Sequence, residues 1–194
     1  MKKFSLKKLF VVLGACLVLF ATVLMIAWRW NISVWESKSE DYVCTLKTLL
    51  PPTQNAVLEE RRDNEMPVFY LEGNDFVGIL EIPLYESELP VCADWGEVSK
   101  YPCRFDGSIY NGTLKVGATS QSGQYDFYRE LSVGDDVFFT DMEGNRYSFK
   151  ITSLRYEKHA DINTLNKNDS ELTVFIKNLY AFEYLVVSCG IYKK

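Results

Sequence analysis

The stretch 171–189, ELTVFIKNLYAFEYLVVSC, decides the fold because it contains two strand patterns separated by a short aromatic loop. In its first half, Leu172, Val174 and Ile176 alternate with other residues and so fall on one face of a strand. Its second half contains the apolar run 184–187, which is typical of a strand covered on both faces. The stretch therefore predicts an antiparallel hairpin at the centre of a sheet.

Short strand patterns also fill the rest of the C-terminal two thirds of the chain. They are VFYLEG at 68–73, DFVGILEI at 75–82, LPVCADW at 89–95, GSIYNGT at 107–113, LKVGAT at 114–119, DDVFFTD at 135–141 and NRYSFKITSLRYE at 145–157. Gly, Asn, Asp or Pro bound each of them, and EGN at 143–145 is a hairpin signal. We predict an all-β closed barrel over 67–194, with short helices at 124–131 and 161–166.

The N-terminal part predicts one transmembrane helix at 9–28. These residues carry no charge, and roughly 20 apolar residues span the hydrocarbon core of a bilayer. The four lysines of the flank 1–8 favour a cytoplasmic N-terminus. A cleavable signal peptide is disfavoured because its apolar core is usually about 7–15 residues long. We expect a single-pass signal anchor in the cell membrane, with the C-terminal domain extracytoplasmic.

The segment 29–66 is predicted to connect this anchor to the barrel domain as a helical stalk and linker. Within it, SKSEDYVCTLKTLL at 37–50 has helical spacing, begins with residues that suit a helix N-terminus, and is ended by Pro51 and Pro52. The polar stretch that follows, up to residue 65, fits either a strap on the domain surface or a solvated stalk. The sequence favours the stalk.

Charge and cysteine spacing exclude several functions. Without the four lysines of the N-terminal flank, 17 basic residues stand against 26 acidic ones, a formal net charge near −9 that disfavours nucleic acid as a partner. No metal-binding spacing and no phosphate-binding glycine motif is present, so we expect no metal and no cofactor. Cys92 and Cys103 are candidates for a disulfide, whereas Cys189 fits a small buried apolar residue.

The closing hairpin resembles the last two strands of a sortase barrel. The family pattern is [DE]-L-T-L-x-T-C followed, after a loop, by R-[LV]-x-V-x-C, and here the text is ELTVFIK and then YLVVSC. The resemblance covers most of 75–192, through DFVGILEIP at 75–83, LPVCADW at 89–95, YPCRFDGSIYNGTLKVGAT at 101–119 and LSVGDDVFFTDMEGNRYSFKI at 131–151. The sequence is most similar to sortases of class B or a class B-like kind.

The resemblance implies that all three catalytic positions are substituted. Lys177 stands at the position of the nucleophilic cysteine, and Tyr184 at that of the essential arginine. The family's histidine segment L-V-I-A-A-H-N corresponds to LKVGATS, which puts Thr119 at the histidine position. The chain is therefore expected to be a pseudoenzyme that binds a peptide, a surface protein or pilin, or an active sortase.

Two further hypotheses concern the substrate groove that the resemblance to sortases implies around these three positions. In the first, a set of aromatic and polar residues lines this groove, and the alternative is that they cap the barrel core. The residues are Ser120, Tyr125, Phe127, Tyr180 and Phe182. The competing enzymatic hypothesis is a transpeptidase or hydrolase in which Thr119 or Ser120 is the nucleophile and Lys177 the base. Against this dyad stands an ordinary ion pair of Lys177 with Glu183 or Asp126. The single histidine, His159, is expected on a surface loop.

Overall fold

The computed structural model describes residues 6–58, 65–120, 128, 130–158, 170–178 and 183–191. Within these residues the chain forms one α-helix and ten β-strands, together with three 3-10 helices. The helix is α1 (Leu6–Leu49), and the strands are β1 (Gln54–Asn55), β2 (Phe69–Leu71), β3 (Asn74–Ile82), β4 (Ser87–Cys92), β5 (Cys103–Asp106), β6 (Leu114–Thr119), β7 (Asp136–Asp141), β8 (Asn145–Glu157), β9 (Leu172–Asn178) and β10 (Glu183–Ile191).

Helix α1 runs without interruption for 44 residues. The sequence predicted two helical segments, at 9–28 and 37–50, and the structure joins them because no proline and only Gly14 lies between Leu6 and Pro51. The polar start at 37–41 is therefore not a helix N-terminus, although the predicted stop at the two prolines is confirmed. Apolar side chains of the first half are exposed, and the helix is long and apolar enough to cross a membrane.

The predicted closed β-barrel is confirmed. Eight strands hydrogen-bond in the ring β3, β4, β5, β6, β9, β10, β8, β7 and back to β3. The predicted hairpin is the antiparallel pair β9 and β10, and β9 also pairs in parallel with β6 on its other side. Strands β1 and β2 lie outside the ring, each attached to one barrel strand.

Alternate residues of the strands fill the barrel interior. Phe139, Phe149 and Leu172 are among its fully buried side chains, and burial of each contributes about 1.5–3 kcal/mol relative to exposure. A second apolar cluster lies outside the barrel wall, where Tyr42 and Leu46 of α1 join buried barrel residues. The far half of α1 is therefore packed onto the barrel. The domain limits 1–8, 9–28, 29–66 and 67–194 stay predictions.

Two of the predicted strands are corrected. Residues 107–113 form a 3-10 helix, Ile109–Asn111, because the Ser108 hydroxyl accepts the Tyr110 N–H and Gly112 ends the turn at φ +64°. The strand expected at 89–95 ends at Cys92, and a second 3-10 helix, Trp95–Glu97, follows it. Strand β5 was not predicted because it is only four residues long and follows Pro102.

The turn at 143–145 and the segment after α1 have clear local causes. Gly144 takes a left-handed φ of +83°, and its N–H donates to the Asp141 carbonyl at 3.1 Å, which confirms the predicted hairpin turn. Residues 51–58 form a strap rather than a solvated stalk, because Gln54 donates its N–H to the Gly144 carbonyl at 2.9 Å. The helix predicted at 161–166 and most of that at 124–131 lie outside the described residues.

The cysteines of the barrel are buried free thiols. Cys92 and Cys103 are register partners on β4 and β5, and the Cys103 thiol donates to the Tyr101 carbonyl at 3.4 Å. Its hydrogen bond with Cys92, together with burial, raises the pKa of Cys103. Cys189 lies in the barrel core, as the sequence predicted.

Candidate functional site

Three neighbouring strands bring Thr119, Lys177 and Tyr184 into one row. Thr119 on β6 is the register partner of Lys177 on β9, and Lys177 is the register partner of Tyr184 on β10. Paired residues on neighbouring strands share a face. Since Ile176 and Leu185, the next residues along, lie in the core, this row lies on the outer face of the barrel. The structure thus brings together all three positions singled out by the sequence.

The cation of the row lies next to an aromatic ring. The Lys177 Nζ atom lies 5.9 Å from the centre of the Tyr184 ring, and both residues are half-buried. A cation over an aromatic face is attracted by the ring quadrupole. No ion pair joins Lys177 to Glu183 among the described residues, and Asp126 lies outside them. Glu183, the one expected partner that the structure describes, therefore forms no ion pair with Lys177.

The predicted groove residues are only partly described. Ser120 follows Thr119 directly and is half-buried at the end of β6. Tyr125, Phe127, Tyr180 and Phe182 lie outside the described residues, and so does His159. Their assignment to the groove stays a prediction.

An aromatic cluster that sequence reasoning missed covers the outer face beside this row. It consists of Trp95, Phe105 and Phe175, with ring centres 4.9 Å apart for Trp95 and Phe105, 5.2 Å for Phe105 and Phe175, and 5.9 Å for Trp95 and Phe175. Trp95 is the first residue of a 3-10 helix whose start is fixed by the Asp94 carboxylate, which accepts the Gly96 N–H at 2.8 Å. Trp95 is 39% exposed, so it covers this part of the outer face only partly.

Gly117 lets this cluster lie close to the sheet. It is the register partner of Phe175, and a Cβ atom built on it would lie 2.5 Å from the Trp95 ring and 2.6 Å from the Phe175 ring. Both distances are far below ordinary contact, so any side chain here would displace an aromatic ring. The signal in the sequence was a glycine inside a strand, which often marks the close approach of another group.

One charged pair lies further along β6, on the same face as Thr119. The Lys115 ammonium donates to the Asp106 carboxylate at 3.0 Å. This hydrogen bond lowers the pKa of Asp106, against a smaller opposing effect of desolvation. The pair ties β5 to β6 beside the aromatic cluster.

A cleft of about 740 Å³ lies elsewhere on the molecule, between α1 and the connection from β3 to β4. Glutamates from both sides line it, and Lys47 pairs with Glu88 across it. None of the three predicted positions is among its residues. We therefore place the candidate site on the outer face of β6, β9 and β10.

The barrel aligns with solved sortase structures. Sortase A from Corynebacterium diphtheriae aligns with a TM-score of 0.54 and 14% identity over 62% of this chain, and the aligned part spans 62% of the length of that sortase. The chain has a sortase-like fold. Sortase C-3 from Streptococcus pneumoniae aligns over 83% of both chains, with a TM-score of 0.53 and 16% identity.

A third similar structure is sortase C from Clostridium perfringens with the C-terminal cell wall sorting motif. It aligns over 68% of this chain and 79% of its own, with a TM-score of 0.51 and 17% identity. No protein-family model and no curated protein sequence matches the chain. At these identities the similarity establishes the fold of this sortase-like barrel, and the class B assignment stays a prediction.

No cysteine of the sortase-like barrel offers a thiolate to the row. Cys189 faces the core together with Leu185 and Val187, the face opposite to Tyr184. Burial raises the pKa of Cys189 to about 12, so its thiol is protonated at neutral pH. Cys92 and Cys103 are buried on β4 and β5 in the apolar cluster under α1.

Proposed function

We propose that this protein is a membrane-anchored, sortase-like protein without sortase transpeptidase activity, which binds an extended peptide along the outer face of β6, β9 and β10. The observation that carries the proposal is the row of Thr119, Lys177 and Tyr184. It occupies neighbouring positions on three strands of a sortase-like barrel, at the residues that the resemblance assigns to the histidine, cysteine and arginine.

The chemistry of the row supports the loss of transpeptidation. Acyl transfer of this type needs a thiolate, an acid for the leaving amine and a donor for the oxyanion. A lysine ammonium has no free electron pair and so is not a nucleophile. Loss of one member of such a unit commonly removes most of the catalysis, so three substitutions together leave little beyond binding.

The surroundings of the row favour peptide binding. Aromatic side chains and a few polar groups along a shallow face suit an extended peptide, whose apolar side chains pack on the rings. Trp95, Phe105 and Phe175 supply the rings, while Lys177 and Tyr184 supply the polar groups. The ligand is a peptide or an extended segment of a surface protein, a pilin or an active sortase.

The membrane part of the proposal follows from α1 and its flank. The apolar half of the helix exposes its side chains and needs a bilayer to cover them. The lysines that precede it favour a cytoplasmic N-terminus and a barrel outside the cell. Protease added to intact cells should degrade the chain beyond about Trp30, and finding the barrel protected in the cytosol would contradict this orientation.

The activity test uses the full chain in detergent micelles and a peptide that carries a cell wall sorting motif. We expect no transfer of the peptide to hydroxylamine and a saturable change in fluorescence anisotropy when the labelled peptide binds. A Tyr184→Ala variant should bind more weakly, and Tyr156→Ala, an exposed tyrosine on β8, serves as its control. Hydroxamate formation clearly above that of a Lys177→Ala variant would show that the protein is an active enzyme.

A second candidate function is a Thr–Lys dyad, favoured by the register pairing of Thr119 with Lys177. A lysine acts as a base near neutral pH only where desolvation favours its uncharged form. An acylating probe directed at hydroxyl nucleophiles should then label Thr119 or Ser120 in the unchanged protein and not in Lys177→Met. Absence of labelling in the unchanged protein rules the dyad out as an acyl-transfer site.

A further inference from the structure

Strands β4 and β5 form the shortest seam of the barrel ring. Among the described residues, Cys92 and Cys103 are their only register pair, whereas every other pair of neighbouring ring strands has at least three. The Cys92 N–H also donates to the Pro102 carbonyl at 2.8 Å. Closure of the ring at this point therefore depends on the two cysteines and the residues next to them.

The two cysteine side chains lie close together on the same face of the sheet. Both belong to the apolar cluster under α1, where they are 1% and 0% exposed. Register partners on neighbouring strands lie about 4.8 Å apart, and a disulfide joins residues whose Cα atoms are roughly 4.4–6.8 Å apart. A hydrogen bond with the Cys92 thiol is also the largest cause that raises the pKa of Cys103. The backbone is therefore already at the spacing that a disulfide needs.

We propose that Cys92 and Cys103 are a covalent modification site, at which a disulfide forms in the exported protein. The inference rests on the extracytoplasmic location of the barrel in the proposed function, because disulfides persist in oxidising compartments. Cys189 does not compete for this bond, since it faces the barrel interior and its register partners are Ile151 and Leu172.

The reaction consists of two thiol–disulfide exchanges with an oxidised dithiol protein. One cysteine of the pair, as a thiolate, attacks a sulfur of the oxidant's disulfide, and one thiolate of the oxidant leaves. The second cysteine then attacks the mixed disulfide, which forms the Cys92–Cys103 bond and releases the second thiolate of the oxidant. The pair loses two electrons and two protons, and the oxidant gains both.

Helix α1 determines when this exchange takes place. Tyr42 and Leu46 pack in the same cluster as the two cysteines, so an oxidant reaches the sulfur atoms only while α1 is not packed on the barrel. Exchange needs both access and a thiolate, and burial disfavours both. The bond is therefore expected to form while the exported chain folds. Once α1 is packed, it protects the bond from reductants.

The bond closes the base of the loop that carries Trp95. Residues 93–102 lie between the two cysteines, and Trp95 begins the 3-10 helix in this loop. A crosslink over a short loop stabilises a fold mainly by restricting the unfolded chain. Here it also replaces a seam of one register pair by a covalent link, so the ring cannot open between β4 and β5.

The test maps the thiols of the full chain. Cells are quenched with acid, and the chain is unfolded in N-ethylmaleimide, which blocks free thiols. It is then reduced and treated with iodoacetamide, and mass spectrometry of its peptides locates both labels. We expect iodoacetamide on Cys92 and Cys103 and N-ethylmaleimide on Cys189. N-ethylmaleimide on both members of the pair, or a bond from either one to Cys44 or Cys189, would overturn the inference.

Protease treatment of intact cells separates this inference from the proposed orientation. Free thiols at both positions, in a barrel that external protease degrades, would overturn the disulfide and leave the orientation standing. Free thiols in a barrel that is protected in the cytosol would overturn the orientation and the disulfide together.

A stability measurement tests the link across the seam in detergent micelles. The midpoint of thermal unfolding should be roughly 5–10 °C higher for the disulfide form than for a chain reduced while unfolded and refolded in a phosphine reductant. Cys189→Ala should keep this difference, and Cys103→Ala should remove it. Equal midpoints of the two forms of the unchanged protein would overturn the stabilising link. If Cys103→Ala does not fold, the comparison of the two forms decides by itself.

Discussion

Two outer faces of the same barrel are covered in different ways. On one face, Tyr42, Val43 and Leu46 of α1 seal the surface of β3, β4 and β5, and Leu46 is 0% exposed. On the other face, formed by β6, β9 and β10, the described cover includes Trp95 of a 3-10 helix, a residue that is 39% exposed. The first face is closed by a long helix with several anchor side chains. Among the described residues, the second is covered by Trp95, which packs on Phe105 and Phe175.

This difference assigns different tasks to the two faces. A cover held by many buried contacts is costly to open, whereas a half-exposed ring on a short turn moves at small cost. The face under α1 is therefore a fixed part of the fold. We expect the cover of the face under Trp95 to move more readily, as the proposed peptide binding would require.

The largest effect is expected where α1 enters the apolar cluster. Leu46→Ala should lower the free energy of unfolding of the barrel by about 2–5 kcal/mol, because it leaves a cavity between the helix and β3. Urea unfolding of the full chain in micelles, followed by aromatic fluorescence, measures it. Leu49→Ala is the matched control, since Leu49 lies on the same helix and is 55% exposed. Equal effects of the two substitutions would show that α1 does not seal this face.

The next largest loss of stability is expected at the close contact of Gly117 with the aromatic rings on the face under Trp95. Gly117→Ala places a methyl group against the Trp95 and Phe175 rings, so one ring must move, at a cost of about 1–3 kcal/mol. We expect Trp95 to shift outwards, with greater quenching of its fluorescence by acrylamide. In a Trp95→Ala background the same substitution should cost less, because one of the two clashes has gone. An unchanged cost there would show that Phe175 alone decides the effect.

The sequence predicted those parts of the fold that depend on local pattern. The alternation in β9 and the apolar run in β10 were enough to place the central hairpin, and the glycine turn at 143–145 was visible directly. The continuity of α1 was missed because polar residues at 37–41 resemble a helix start, although an exposed stretch of helix has the same composition. Short-range propensity does not distinguish these two cases.

The candidate site could be predicted from the sequence only where the resemblance to sortases aligned its residues with the family's catalytic positions. Alignment to the family pattern assigned Thr119, Lys177 and Tyr184 to the three catalytic positions, and the strand pairing of the structure puts them into one row. Trp95 was missed because its contact partner lies on a strand that is distant in sequence. Trp95 lies 80 positions before Phe175 in the sequence, and their rings meet only in the folded barrel. No local pattern carries that information.

A smaller effect is expected for the cation over the aromatic ring in the row. Replacing Lys177 by Met removes its attraction to the Tyr184 ring, which is worth about 0.5–1 kcal/mol at a partly exposed position. A double-mutant cycle with Tyr184→Leu measures the coupling in urea unfolding. Coupling near zero would show that the pair does not hold the row together. Either way the change should be well below that of Leu46→Ala, since the open face contributes less to stability than the sealed one.

The smallest effect is expected at the edge of the open face, where Lys115 lowers the pKa of Asp106 through a hydrogen bond. A carboxyl group whose pKa is lower in the folded than in the unfolded state stabilises the fold above its unfolded pKa, which is about 3.9. That contribution is lost as the pH falls through the lower folded pKa. Asp106→Asn should therefore cost a few tenths of a kcal/mol and at most about 1 kcal/mol at pH 7, because the carboxylate is largely exposed. The difference from the unchanged protein should shrink below about pH 4 and also in concentrated salt.

Lys115→Gln should give the same loss at pH 7. The double variant should cost no more than the loss of one ion pair. A difference that stays constant from pH 7 down to pH 2 would show that the hydrogen bond with Lys115 is not what Asp106 contributes.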